Sequence, residues 1–301
     1  MSTFFRNILF IWGICFIACS FDPLEVDWII ESNDVESPKD STITESSYFY
    51  KDSIVVMQWN IGHFSQGAVP SSRITDSDYL QRLQDYRQLI NDVSADIVTL
   101  CEYSVLFSDT ELHPNCYADT LLFNEYPFRF IGNNGIIRGY SLNAIMSKMG
   151  LLHPSSVEYQ TNSTASITHI SAIKATDYYY NKAFIYVGDH KVVLVNTHLA
   201  FDKNNPDIAI NQIKELINEL DNEEYVVICG DFNTSSSNYK LFSEAGYSLA
   251  NTGVLRTFPS SRPTTPLDNI ISKGLSIRDA HIVSSSLSDH YPIVCTISTV
   301  D

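Results

Sequence analysis

Short apolar runs that each meet a polar residue recur along this chain. Val55-Val56-Met57-Gln58-Trp59 leads to Asn60, and Ile97-Val98-Thr99-Leu100-Cys101 leads to Glu102. Val195-Asn196-Thr197 leads to His198, and Val226-Val227-Ile228-Cys229-Gly230 leads to Asp231, with Asn233 two residues on. Asp268 opens the run Asp268-Asn269-Ile270-Ile271, and Ser288-Asp289-His290 stands before the apolar stretch from Pro292 to Ile297. A continuous apolar run of this length reads as a strand buried on both faces. A carboxylate, amide or imidazole at its end is aimed out of a core into a rim. Six such ends that supply only Asn, Asp, Glu and His predict one metal-assisted catalytic site.

Between these runs the period changes. Residues 78–93 carry Leu80, Leu83, Arg87/Ile90 and Val93 at helical spacing, with Asp76 or Ser77 as caps. Pro206 to Leu220 places Ile208, Ile213, Leu216, Ile217 and Leu220 on one side of a second helix. Further strands are expected at 143–147, 167–174, 183–187 and 191–197, with Asp189-His190 turning between the last two. Alternating strands and helices support a mixed α/β sandwich. A doubly wound open sheet is the competing architecture. Against it, Asn60-Ile61-Gly62-His63 after the first strand is no glycine-rich phosphate loop.

In order, Gln58-Trp59-Asn60-Ile61-Gly62, Leu100-Cys101-Glu102, Leu142-Asn143-Ala144-Ile145-Met146-Ser147, Asn196-Thr197-His198-Leu199, Gly230-Asp231-Phe232-Asn233, Leu267-Asp268-Asn269-Ile270 and Ser288-Asp289-His290-Tyr291-Pro292 form a series. That series resembles the endonuclease/exonuclease/phosphatase superfamily, across residues 54 to 297. The resemblance implies a deoxyribonuclease-like four-layer α/β/β/α sandwich, in which two packed mixed sheets are flanked by helices. It implies Mg2+ as cofactor, with Mn2+ as a substitute, held by Glu102 with Asn60 and Asp289. Magnesium takes one or two carboxylates plus waters and phosphate oxygens, so a sparse set suffices.

The resemblance also assigns roles. His290 orients or deprotonates the attacking water, and Asp268 fixes its tautomer. Asp231 aligns the nucleophile or protonates the leaving group, and the Asn233 amide donates to a phosphate oxygen. His198 matches the deoxyribonuclease and sphingomyelinase branches, where it binds phosphate, and argues against the abasic-site branch. Arg138 and Asn143 lie near the family's central motif. The remaining histidines, His63 among them, match no motif and read as surface or structural.

The amino terminus changes the compartment. Arg6, an apolar stretch from Ile8 to Ala18, and Cys19 resemble a bacterial lipoprotein signal ending at a lipidation cysteine, residues 1–19; an ordinary secretory signal or an uncleaved anchor are the alternatives. Residues 20–52 carry nine acids against Lys39 and Lys51 and read as a solvated tether. Residues 53–301 then form one catalytic domain, monomeric, exported and lipid-anchored to the cell envelope. The charge of −16 falls to −10 over that domain. Cys101, Cys229 and Cys295 sit in apolar runs as small core side chains, and Cys116 in a polar loop.

No HExxH or clustered Cys/His set suggests zinc, and no GxSxG elbow suggests a serine hydrolase. Three phosphoester substrates remain: nucleic acid, a lipid head group, and a small phosphodiester or phosphate. A nuclease needs basic or stacking groups, for which Arg73, Arg138, Arg256, Arg262 and Lys273 are scattered candidates. A lipid phosphodiesterase needs an exposed aromatic hairpin, for which Tyr178-Tyr179-Tyr180 to Phe184 is the candidate. A catalytically inactive surface binding protein is the alternative from another class, and the intact set of site residues opposes it.

Overall fold

The computed structural model describes residues 51–64, 76–103, 125–133, 142–161, 178–202 and 204–299. The signal with Cys19, the tether up to residue 50, the run at 167–174, Cys116, Arg73 and Arg138 lie outside the described residues. In chain order the first elements are β1 (Ser53–Asn60), α1 (Asp76–Val93), β2 (Ile97–Tyr103), β3 (Phe128–Asn133), β4 (Leu142–Ser147) and β5 (Leu152–Glu158). Next come β6 (Tyr179–Val187), β7 (His190–His198), α2 (Asp207–Glu219), β8 (Val226–Asp231) and the short α3 (Lys240–Glu244). The chain closes with β9 (Ser248–Leu249), β10 (Asp268–Lys273), β11 (Ser276–Ile282) and β12 (Ile293–Ser298).

These strands form two six-stranded sheets, ordered β11-β12-β1-β2-β4-β3 and β5-β6-β7-β8-β10-β9. The doubly wound open sheet is thereby excluded. Each sheet has one parallel pair: β1 with β2, and β7 with β8. A parallel pair needs a crossover, and α1 and α2 supply it. The apolar runs are continuous because alternate residues enter different cores. In β8, Val227 and Cys229 pack between the sheets while Val226 and Ile228 pack under α2. In β1, Ile54 and Val56 face the other sheet, and Met57 and Trp59 face α1 with Leu83, Tyr86 and Ile90. That is the α/β/β/α layering.

Three local expectations shift. The helix stripe uses Tyr86 in place of Arg87: Tyr86 is buried and Arg87 is half-exposed near Glu125. The β6–β7 turn is Gly188-Asp189, since Val187 already pairs with His190 and Gly188 takes φ 54°. Lys51 and Asp52 are tied to the sheets, Lys51 by its carbonyl to Gly188 and its ammonium to Asp96 at 2.6 Å. Cys101, Cys229 and Cys295 are buried free thiols, and burial pushes the Cys229 thiol up to about 12.

Strand direction explains the shared rim. Parallel strands β1 and β2 end together, as do β7 and β8. Their antiparallel neighbours therefore start at the same edges: Asp268 opens β10 opposite Asp231, and Ile293 opens β12 opposite Gln58. Polar groups between the sheets fix one against the other. The Asn196 amide on β7 donates to the carbonyls of Leu100 and Ala144 in the facing sheet, both at 2.9 Å. Near the rim the backbones close up, and a Cβ on Gly230 would lie 2.2 Å from the Thr197 carbonyl oxygen.

That contact predicts that Gly230→Ala, which adds a methyl where no room exists, destabilises the fold by about 1–3 kcal/mol. Denaturant unfolding of the two proteins measures it, and equal midpoints with equal slopes would refute the close approach.

Candidate active site

The site is built on an Asp231 side chain that is almost wholly buried at the end of β8. Its Oδ1 accepts the backbone N–H of Asn233 at 3.0 Å. Its Oδ2 accepts the Asn60 amide at 3.1 Å and lies 3.7 Å from Nε2 of both His198 and His290. Asn60 reaches across from the first sheet, and the same amide nitrogen donates to Glu102 Oε1 at 3.2 Å. Its Oδ1 accepts from Gly62 N–H at 3.0 Å. Asn60 thus turns its donor end to two acids, and presenting oxygen to a cation requires the amide to turn over.

His290 Nδ1 meets Asp268 Oδ2 at 2.8 Å, and the Asp268 side chain is fully buried. The dyad is held from behind. The Trp59 indole donates to the His290 carbonyl at 3.0 Å, and the Ser288 hydroxyl donates to the Asn60 carbonyl at 2.6 Å. Tyr86 on α1 donates to the carbonyls of Ile61 and Leu287, linking the helix to both rim loops. On the open side the Phe258 ring lies 4.7 Å from the imidazole.

Burial pulls the His290 imidazolium down, yet the charges of Asp268 and Asp231 and the Asp268 hydrogen bond outweigh it and hold it up at about 10. Burial likewise pushes the Asp268 carboxyl up, opposed by His290. Two carboxylates around one imidazole place the shared proton on the ring. The surroundings of His290 thus favour its protonated form.

Glu102 is aimed by a bulge. Between Leu100 and Tyr103, β2 has one residue more than its partner β4, and Glu102 takes φ 54°. Asp289 lies on the neighbouring loop beside the Ser288 hydroxyl, at 3.3 Å. Burial raises the Asp289 carboxyl; His290 opposes that and the Glu102 charge adds to it. Two acids that repel one another at a half-open rim, with oxygen donors only, fit a hard divalent cation. Asp231, Asp268 and His290 form a tighter trio, with ligand atoms within 4.8 Å of one another. It is the weaker cation site, because Asp268 Oδ2 and His290 Nδ1 are engaged with each other.

The other expected residues are placed as follows. The strand stops at Asp231, and Asn233 bends back at φ 45° instead of continuing a pleat. Its amide nitrogen donates to the Leu199 carbonyl at 2.9 Å, which leaves one N–H for a substrate oxygen. The Nδ1 of buried His198 has no hydrogen-bond partner among the described residues. Asn143 points away, its amide donating to the Tyr179 carbonyl. Lys273 ends β10 at the edge opposite Asp268 and lies away from the rim. Of the aromatic run from Tyr178 to Phe184, Tyr178 and Tyr180 are buried in the core under α2 while Tyr179 and Phe184 are half-buried. Sequence reasoning missed Phe258 and His63. For His63 the sequence offered no signal, because Glu102 is remote from it along the chain.

An acid-rich rim with two histidines, carried on the strand ends of a two-sheet sandwich, is the arrangement of a phosphoesterase. The chain belongs to the Endonuclease/Exonuclease/phosphatase family, whose pattern matches residues 57–290. It is 25% identical over 234 residues to the uncharacterised protein YbhP of Escherichia coli, covering 71% of this chain and 88% of that one. Solved structures share the fold. An endonuclease/exonuclease/phosphatase from Beutenbergia cavernae superposes with TM-score 0.63 at 17% identity, covering 82% of this chain and 71% of that chain. A humanised D. rerio TDP2 gives 0.60 at 14% identity, covering 83% and 100%. The Bacteroides thetaiotaomicron mannosyl-6-phosphatase Bt3783 gives 0.59 at 14% identity, covering 81% and 99%.

The raised His290 makes a signed prediction. An unfolded imidazole loses its proton near 6.5, and the folded one near 10. Its contribution to stability is complete below about 6.5 and declines as pH rises toward about 10. Thermal unfolding across that window should show a fall that His290→Gln flattens; parallel curves for both proteins would contradict it.

Proposed function

We propose that this chain hydrolyses phosphoric esters by direct attack of water, using a divalent cation, Mg2+ with Mn2+ as a substitute, held by Glu102 and Asp289. The observation that carries this reading is Asp231 Oδ2, placed between the Asn60 amide and the two imidazoles of His198 and His290. When bound, the cation polarises a phosphoryl oxygen. His290, protonated beside Asp268, donates to a second phosphoryl oxygen, and His198 neutralises charge from the opposite side. Asp231 accepts a proton from the attacking water as the water oxygen bonds to phosphorus. The bond to the ester oxygen breaks and that oxygen leaves as the alcohol after taking a proton from solvent, and Asn233 gives its remaining N–H to the phosphoryl group. These donors face charge that grows in the transition state, which is where fixed dipoles lower a barrier.

A phosphodiester is the first choice of ester. A hollow of about 690 Å3 beside Asp289 is lined by Ser260, Ser261, Ser284, Ser285 and Ser286. A short hydroxyl-lined wall suits a small hydroxylated leaving group better than a polynucleotide backbone, which calls for cationic side chains. Arg256 and Arg262 are exposed on the adjoining hairpin and keep the nuclease reading testable.

The purified protein should hydrolyse at least one of DNA, RNA, sphingomyelin, inositol phosphates or a sugar phosphate in Mg2+ and fall to background in excess chelator. Glu102→Gln should lower kcat by orders of magnitude with the fold unchanged by circular dichroism. Full activity in chelator would end the cation reading, and silence on all five substrates would end the reading as a hydrolase.

We also propose export and lipid anchoring at Cys19 on the envelope, on the strength of the apolar stretch ending in Ala18-Cys19. Mass spectrometry of the mature protein should find Cys19 first and acylated. Retention of residues 1–18 would rule this out.

A further inference from the structure

His63 stands at the cation edge of the site, although nothing in its sequence context assigns it. Its Nε2 lies 3.1 Å from Glu102 Oε2, with the two side chains 14% and 22% exposed. Asn60 already holds the other oxygen, Oε1, at 3.2 Å. Glu102 is therefore gripped on both oxygens, by an amide on one and an imidazole on the other.

The backbone is bent to achieve this. His63 takes φ 56°, Phe64 φ 58° and Glu102 φ 54°, a region that non-glycine residues hold only where their surroundings impose it. The surroundings here do impose it. Ile61 N–H donates to the Cys101 carbonyl at 3.0 Å, tying the turn to β2 one residue before Glu102. Phe64 N–H closes the turn on the Ile61 carbonyl at 3.1 Å. The Phe64 ring packs edge-on against Tyr86 and Tyr103, with centroids 5.1 and 5.4 Å apart. The imidazole and the carboxylate thus belong to one rigid unit.

We propose that His63 is a positioning residue for Glu102, donating from its imidazole to Oε2 so that the carboxylate meets a divalent cation in one fixed orientation. This rests on the reading of Glu102 as a cation ligand. A carboxylate that swings freely must be ordered on binding, and one held from outside is ordered already. Partners of this kind, one step removed from the metal, change affinity by about 10–100-fold when deleted. Rotation about the last side-chain bond moves both oxygens together, so the Asn60 amide on Oε1 and the imidazole on Oε2 resist it jointly, and losing either hold loosens the carboxylate.

The experiment is titration of the full exported chain with Mn2+ alone, followed by calorimetry and by the free-ion spin-resonance signal, with no substrate present. Wild type, His63→Ala, His63→Gln and Glu102→Gln are compared, with thermal unfolding in chelator as the control for folding. His63→Ala should bind Mn2+ about 10–100-fold more weakly. His63→Gln, whose amide N–H reaches the same place, should stay within about threefold of wild type. Wild-type affinity in His63→Ala, or a loss in His63→Gln as large as in His63→Ala, overturns the proposal. If Glu102→Gln binds like wild type, the assignment of Glu102 fails, and this proposal fails with it. Wild-type binding that needs Glu102 and survives His63→Ala overturns this proposal alone.

Discussion

One buried amide joins the two halves of this molecule at the place where chemistry is proposed. Asn60 ends a strand of the first sheet and donates to Asp231 in the second, while holding Glu102 beside it. A carboxylate buried as deeply as Asp231 is costly unless its lone pairs are occupied. Asn60, the Asn233 N–H and the facing imidazoles occupy them. Those partners come from β1, from the turn after β8, from the end of β7 and from the loop before β12. The sheets must therefore meet in one register for the acid to be tolerated. Asn196, bridging to Leu100 and Ala144 from the middle of the sandwich, fixes that register away from the rim.

The same rim gathers the strained backbone. Four of the seven non-glycine residues at positive φ among the described residues, His63, Phe64, Glu102 and Asn233, adjoin it. A regular strand would send successive side chains to opposite faces. The bulge at Glu102 and the bend at Asn233 break that alternation and bring both groups toward Asp231. Regular sheet supplies rigidity, and local irregularity supplies aim.

Much of this was legible because burial on both faces leaves a plain trace. β1, β2, β8 and β12 are apolar nearly throughout, so their ends could be read off with the polar residue attached. The edge strands β3, β5, β9 and β11 left no such trace. Glu158, Arg278 and Asp279 lie on half-exposed faces, and polar residues there carry no period. Gln58, Thr99, Asn196 and Gln212 interrupt apolar patterns, yet all are buried, because each finds a partner on another element. Tyr178 and Tyr180 fit a surface hairpin as well as a core, and only packing under α2 decides. His63 was unreadable since its meaning depends on Glu102, which is remote in sequence and adjacent in space.

Charge gives the site its logic. Glu102, Asp231, Asp268 and Asp289 crowd a small volume in a chain of net charge −16, and the proposed substrate is itself an anion. Two features offset part of this. Asn stands at positions 60 and 233, where further acids would repel a phosphate. A proton on His290 takes the Asp268 dyad from one negative charge to a locally neutral pair, with Asp231 as the remaining charge beside it. The pair Glu102 and Asp289, which no imidazolium of the dyad neutralises fully, keeps a mutual repulsion that adds to burial in raising Asp289. A divalent cation held there, as proposed, would relieve that repulsion and attract the ester in the same act. Under the proposed function, the acidity that would exclude a phosphate from a cation-free rim is what lets cation and phosphate bind together.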